Sequence, residues 1–275
     1  MALRLLKVTM VLCGLALGAN AQTDPPSTGN ILEDARLIIT SNKGEVRIWH
    51  RAPRVVILTD DPEVTRSIEA IFQTLEDAIN PGYGEVLFGP ITTRPFPQNF
   101  GHGSQRLAFR MRQVVDGKTD VTLNLGDGDV LKTDLVIAVG NRPNIAMLNG
   151  LWGMPSNFTR AQMSGGRARC FYSSRSKNGF RLGAYVSVVG HGQFSQDTAE
   201  CLWEEILHAM GPLIDAKGSP FFTFDNEIGS TALKKQNDVL LLRALYESGT
   251  VPGGGPEKTL TMFADLLSQR DTQSK

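Results

Sequence analysis

The segment Cys201-Leu202-Trp203-Glu204-Glu205-Ile206-Leu207-His208-Ala209-Met210-Gly211 gathers the side chains of this 275-residue chain whose types and spacing could do chemistry. Read as a helix at about 100° per residue, it puts Glu204 and His208 about 40° apart, with Cys201 and Glu205 on the same half of the cylinder. Leu202, Ile206, Ala209 and Met210 take the other half. An apolar face would pack inward, leaving two carboxylates and an imidazole on a polar strip. A carboxylate and an imidazole one helical turn apart can ligate one metal ion, and nitrogen and oxygen donors suit zinc.

The string E-E-x-x-H follows the H-E-x-x-H pattern of zinc peptidases with one change. There, positions one and five bind the metal and the Glu at position two polarises the metal-bound water. On that pattern Glu204 and His208 are the ligands and Glu205 the base. A catalytic zinc needs a third protein ligand and an open fourth position. In the extended motif the last ligand slot falls on Ile214, with Gly211 in the glycine slot, so Asp215 comes one residue late. His191 and His102 could join only through the fold. The plain alternative is a solvated helix face, acidic near the positive end of the helix dipole and carrying a His near the negative end.

Other chemistries lack their residues. There is no G-x-S-x-G elbow and no glycine-rich phosphate loop. Glu204 and Glu205 are sequence neighbours pointing about 100° apart, so they cannot flank a glycosidic bond as an acid/base pair. Ser173-Ser174 reads as strand polarity. Trp49, Trp152 and Trp203 are too scattered for an aromatic binding strip and read as core or rim packing.

The elements that must position the motif can be sketched from pattern. Val55-Val56-Ile57-Leu58, at the end of an extended Arg47–Thr59 segment, is a short apolar run of the buried-strand kind. Asp61 as N-cap and Pro62 at the first helical position open a helix whose Val64, Ile68, Ile71, Leu75 and Ile79 recur every three or four residues until Asn80-Pro81-Gly82. Gly82 to Phe109 reads as loops and short strands. Strands are expected over Arg110–Asp120, Val121–Leu125 and Val130–Val139, with Asp127-Gly128 as a turn. A hairpin follows, Cys170–Ser174 and Phe180–Val189 around Asn178-Gly179. The motif helix is expected from about Thr198 to Met210, capped by Asp197 with Glu200 as its partner and ended by Gly211-Pro212. Two last helices, Asn237–Tyr246 and about Lys258–Gln269, are separated by VPGGGP.

Composition bounds the function classes. There are 28 basic and 28 acidic side chains, so nothing draws the chain to nucleic acid or an anionic bilayer. Residues 1–21 read as a signal peptide: Arg4 and Lys7, an apolar Val8–Leu17, and Ala19-Asn20-Ala21 before Gln22. That apolar run is about half the roughly 20 residues a membrane span needs, so no membrane span is expected. Cleavage after Ala21 removes two basic and no acidic side chains, leaving a slightly acidic chain for the periplasm or the exterior. Only Cys170 and Cys201 then remain, in a compartment where thiols oxidise. A disulfide between them would close a loop of about 30 residues, worth roughly 3 to 4 kcal/mol in the chain-entropy model. Two separate buried thiols are the other reading.

The stretch from Cys170 to Tyr246 resembles the bacterial secreted family called domain of unknown function 2927. The hairpin Cys, Cys201-Leu202-Trp203-Glu204-Glu205, Gly211, Asp215, Ser219 and Leu241-Leu242-Arg243-Ala244-Leu245-Tyr246 carry the likeness. Its order of elements is similar to that of metzincin-type zinc peptidases: strand, long helix, strands, a motif helix with a Gly turn, and a final helix ending in Leu-Tyr. In that family the position of His208 is often Gln, which implies a scaffold whose members have mostly lost the metal. The resemblance implies an α/β (α+β), zincin-like mixed sheet with a long N-terminal helix, a motif helix and C-terminal helices. It divides the chain into a signal peptide (1–21), a flexible lead-in (22–30), one zincin-like domain (31–252) and a C-terminal Gly/Pro linker with a helix (253–275). The function so implied is that of an exported, degenerate or divergent zinc peptidase: Glu205 as base, Glu204, His208 and Asp215 as ligands, and a peptide or envelope protein as partner. The alternative is a noncatalytic envelope binding module on the same fold.

Overall fold

A run of alternating apolar residues whose two sets both find cores makes a strand buried on both faces, and three such runs build the centre of this protein. The structure, a computed structural model, describes residues 25–40, 43–97, 108–113, 119–125, 129–164, 170–190, 194–216, 218–221 and 232–273. Residues 1–21, His102, Asp127-Gly128 and His191 lie outside the described residues.

In chain order the elements are α1 (Ile31–Ile39), β1 (Val55–Leu58), α2 (Pro62–Ala78), β2 (Ile91–Arg94), β3 (Ala108–Gln113), β4 (Thr119–Asn124), β5 (Val130–Lys132), β6 (Leu135–Gly140), α3 (Arg142–Trp152), α4 (Ser156–Met163), β7 (Cys170–Lys177), β8 (Phe180–Val189), α5 (Gln196–Met210), α6 (Ala232–Glu247) and α7 (Glu257–Gln273). The fold is mixed α/β. Its five-stranded sheet runs β2-β1-β6-β8-β7, parallel throughout except for the edge strand β7, which pairs antiparallel to β8. Strands β3, β4 and β5 form a second, three-stranded antiparallel sheet.

Val55 and Ile57 of β1, Leu135 and Ile137 of β6, and Ala184 and Val186 of β8 face one core, where α1, α2, α5, α6 and α7 pack. Val56 and Leu58, Val136 and Ala138, and Tyr185 and Val189 face a second core built with Ile145, Leu148 and Trp152 of α3 and Leu123 of β4. Trp49, Trp152 and Trp203 are all buried, as packing residues should be. The last helix belongs to the first core through Leu260, Phe263, Leu266 and Leu267. Among the described residues no helix is long and apolar enough to cross a membrane.

Helix α2 starts as its signals require: the Asp61 side chain takes the Glu63 N–H at 2.8 Å and Pro62 occupies the first turn. The Asn178-Gly179 turn has φ of 52° and 77°, the left-handed pair a two-residue hairpin needs. Cys170 and Cys201 form a disulfide that ties the start of β7 to α5.

Four expectations need correction. The strand expected over Arg110–Asp120 is the end of β3 and the start of β4, which pair antiparallel. The strand expected over Val130–Val139 divides at Thr133-Asp134 into β5, in the small sheet, and β6, in the large one. The break is polar: Asp134 is 1% exposed and receives hydrogen bonds from the Arg51 and Arg54 side chains and the Arg54 N–H. The cap of α5 is Ser195, whose hydroxyl takes the Thr198 N–H at 3.2 Å, and Asp197 lies in the first turn. Helices α1, α3 and α4 were not anticipated, although Asn30 and Asn141 are good N-caps and accept from the first-turn N–H groups of α1 and α3.

Candidate metal centre

The motif helix has no wet flank. Every residue of α5 from Cys201 to Met210 is buried, because β7 and β8 lie on one side of it and α2 and α6 on the other. Glu204, Glu205 and His208 are 6%, 8% and 5% exposed. The expected solvated strip is therefore an interior one, and each of its polar groups must find partners inside the protein.

The end of α5 answers for its carbonyls one by one. The last carbonyls of a helix have no intrahelical donor. Here the Gly211 N–H donates to Leu207 O. Arg181 of β8, 1% exposed, donates to His208 O at 2.6 Å and Ala209 O at 2.8 Å. Trp49 Nε1 also donates to Ala209 O, and the Tyr246 hydroxyl donates to Met210 O. A guanidinium at this end also suits the sign of the helix dipole. Gly211 leaves room for Leu245 of α6: a Cβ there would meet the end of the Leu245 side chain, which would have to shift. The Leu-Tyr end of α6 thus clasps the Gly turn that ends the motif helix.

Beyond Gly211 the chain is held to α1 by the Leu213 N–H, which donates to Ile38 O at 2.7 Å. This anchor returns Asp215 to the helix it has just left. Asp215 Oδ1 lies 2.8 Å from His208 Nε2, and the other ring nitrogen, Nδ1, lies 3.2 Å from Pro212 O. The two partners are acceptors, a carboxylate and a carbonyl, so both ring nitrogens carry protons and the ring is imidazolium. Burial works against that charge, but the Asp215 carboxylate outweighs it and His208 is pushed up to about 9. Burial pushes Glu205 up as well, and Asp215 adds to the shift while His208 opposes it. The Tyr172 ring of β7 stacks on His208, centroids 5.4 Å apart and planes 14° from parallel, and the Arg181 guanidinium lies over the same Tyr172 ring at 5.5 Å.

One ligand atom from each of Glu204, His208 and Asp215 falls within 4.8 Å of the others. The fold thus brings together the three residues expected as ligands, including Asp215, one residue out of motif register. An imidazole and two carboxylates are a donor set that could hold a zinc ion. The Nδ1–H bond to Pro212 O would fix the tautomer that leaves the Nε2 lone pair for a metal once its proton is lost, since a ligating His commonly donates its other ring N–H to a carbonyl. Arg181 and Tyr172 were missed by sequence reasoning. No signal in the Phe180–Val189 strand marks an arginine that turns inward under a helix 27 residues later.

No curated protein and no solved structure matches the chain. Residues 131–263 match the family model described as a protein of unknown function, DUF2927. The matched stretch takes in both cysteines, the whole motif helix and the Glu204, His208 and Asp215 group.

Proposed function

We propose that this is an exported protein on a metallopeptidase-like scaffold that holds zinc at Glu204, His208 and Asp215. The single observation that carries the reading is the His208–Asp215 contact. It sets two of the expected ligand atoms side by side, with a Glu204 ligand atom within 4.8 Å of both. The element order supports it too: strand β1, long helix α2, further strands, a motif helix ending on Gly211, and α6 closing with Leu245-Tyr246. The disulfide and the sequence of residues 1–21 favour an oxidising compartment outside the cytoplasm.

Bound zinc supplies Lewis acidity to a water or a carbonyl group. The chain's own residues do the rest. Pro212 O holds the His208 ring in one tautomer, Tyr172 holds it in one plane, and Glu205, raised by burial into the range where a carboxyl both takes and returns a proton near neutrality, is the base. Metal uptake must release the Nε2 proton.

The burial of Glu204, Glu205 and His208 favours a second reading, a noncatalytic envelope binding module in which these side chains serve the scaffold. Zinc quantification in purified protein, with His208→Gln alongside, tests the first reading. One zinc per chain, lost on substitution, together with chelator-sensitive casein hydrolysis, is the expected result. Zinc without hydrolysis selects the noncatalytic module, and no zinc in either sample removes the metal centre.

A further inference from the structure

A second site lies at the opposite end of the motif helix. Strands β1, β6 and β8 run parallel, and their carboxyl ends open on a cavity of about 230 Å³ walled by the loops that follow them. After β1 the chain turns into α2, which packs in one core, and after β6 into α3, which packs in the other. The two connections leave on opposite faces of the sheet, so neither covers the crevice between β1 and β6. Open α/β sheets bind ligands at such a reversal.

The lining offers both kinds of hydrogen-bonding group. Thr59, 5% exposed, accepts the Asp61 N–H at 3.1 Å, and among the described residues its own proton has no acceptor, which leaves a buried donor in the cavity wall. Asp60 and Asp61 each spend one oxygen within the fold, on the N–H groups of Phe96 and Glu63, and each has a second oxygen to offer. Asn141 spends its Oδ1 on the Asn144 N–H, and among the described residues its amide NH₂ has no acceptor. Phe194 and Val64 add apolar wall.

Charge narrows the ligand. The two carboxylates repel an anion. The cavity is also reached by the amino ends of three helices, through the Asp61 cap of α2, the Asn141 cap of α3 and Thr198 in the first turn of α5, whose dipoles oppose a cation. A neutral molecule rich in hydroxyls satisfies both conditions, donating to Asp60 and Asp61 while accepting from Thr59 and Asn141. The volume is below the roughly 300 Å³ where pockets for drug-sized ligands begin, enough for one ring. We infer that this cavity binds a small neutral polyol of monosaccharide size, with its apolar edge against Phe194. The inference stands apart from the metal reading, since Thr198 precedes Glu204 by six residues, about 9 Å along the helix axis.

The probes are glucose and myo-inositol as neutral polyols, with glucuronate and glucosamine as charged counterparts, titrated into the full mature chain by calorimetry and by ligand-observed NMR. Thr59→Val keeps shape and removes the donor; Asp61→Asn keeps a good N-cap and removes the carboxylate. The expected result is millimolar binding of at least one neutral probe, weaker binding of both charged ones, and about tenfold weakening in each variant that melts with the wild type. Either variant suffices if the other fails to fold. No binding by either neutral probe, tighter binding of a charged one, or neutral binding unchanged in a folded variant overturns the inference.

Discussion

Arg181 reaches under the motif helix and gives the His208 carbonyl a hydrogen bond of 2.6 Å, so the residue that carries the imidazole is held through its backbone by a buried cation on the neighbouring sheet. The same nitrogen serves Ala209 O at 2.8 Å, and the guanidinium covers Tyr172, which in turn stacks on His208. Three contacts around the imidazole therefore converge on one side chain.

Truncation of that side chain should be costly. Arg181→Leu removes the buried donor shared by the His208 and Ala209 carbonyls and is expected to lower stability by about 3 kcal/mol or more, at the upper end for a single substitution. Urea unfolding at constant slope measures it. A loss under about 1 kcal/mol would mean that the Trp49 and Tyr246 donors suffice to cap α5.

Gly211 and Leu245 should behave as one unit. Gly211→Ala puts a Cβ into the Leu245 side chain and should cost about 1 to 3 kcal/mol, while Leu245→Ala alone should cost about 2 to 5 through the cavity it leaves. In the double mutant the new methyl enters the space vacated by Leu245. Its loss should fall short of the sum by about 1 kcal/mol. A double-mutant cycle by thermal or urea unfolding reads the coupling, and strict additivity contradicts the contact.

The acid limb of stability should depend on Asp134. Burial pushes its carboxyl up, but the Arg54 and Arg51 hydrogen bonds outweigh burial and hold it below the ordinary carboxylate value. The unfolded chain, with its carboxyl near 3.9, therefore binds the proton first as pH falls. Stability from this group is fully present above about pH 4 and lost as pH drops through the lower folded value. Asp134→Asn should be less stable than the wild type at pH 7 and show a shallower acid limb. Unfolding free energies at pH 7 and pH 3 test this, and parallel curves for the two proteins would remove the assignment.

Much of the framework follows from local rules that can be read without the fold. Asp61 and Pro62 start α2, Asn178-Gly179 makes the β7–β8 turn, Gly211 ends α5, and Val55–Leu58 is a strand buried on both faces. Each depends on backbone geometry or periodicity within a few residues. Cys170 and Cys201, the two cysteines that remain once residues 1–21 are set aside, pair as expected.

What tertiary structure alone decided is the environment of those elements. Periodicity marks an apolar face, but it cannot tell whether the polar face meets water or other helices, and the Glu204–His208 strip proved to be interior because β7, β8, α2 and α6 surround it. Strand patterns cannot place a break such as Thr133-Asp134, because its cause, the pair Arg51 and Arg54, lies about 80 residues earlier. Asp215 met His208 despite lying one residue out of motif register, because the Leu213 N–H is fastened to Ile38 O of α1. Contacts between distant segments follow from how cores close, and no window of sequence contains them.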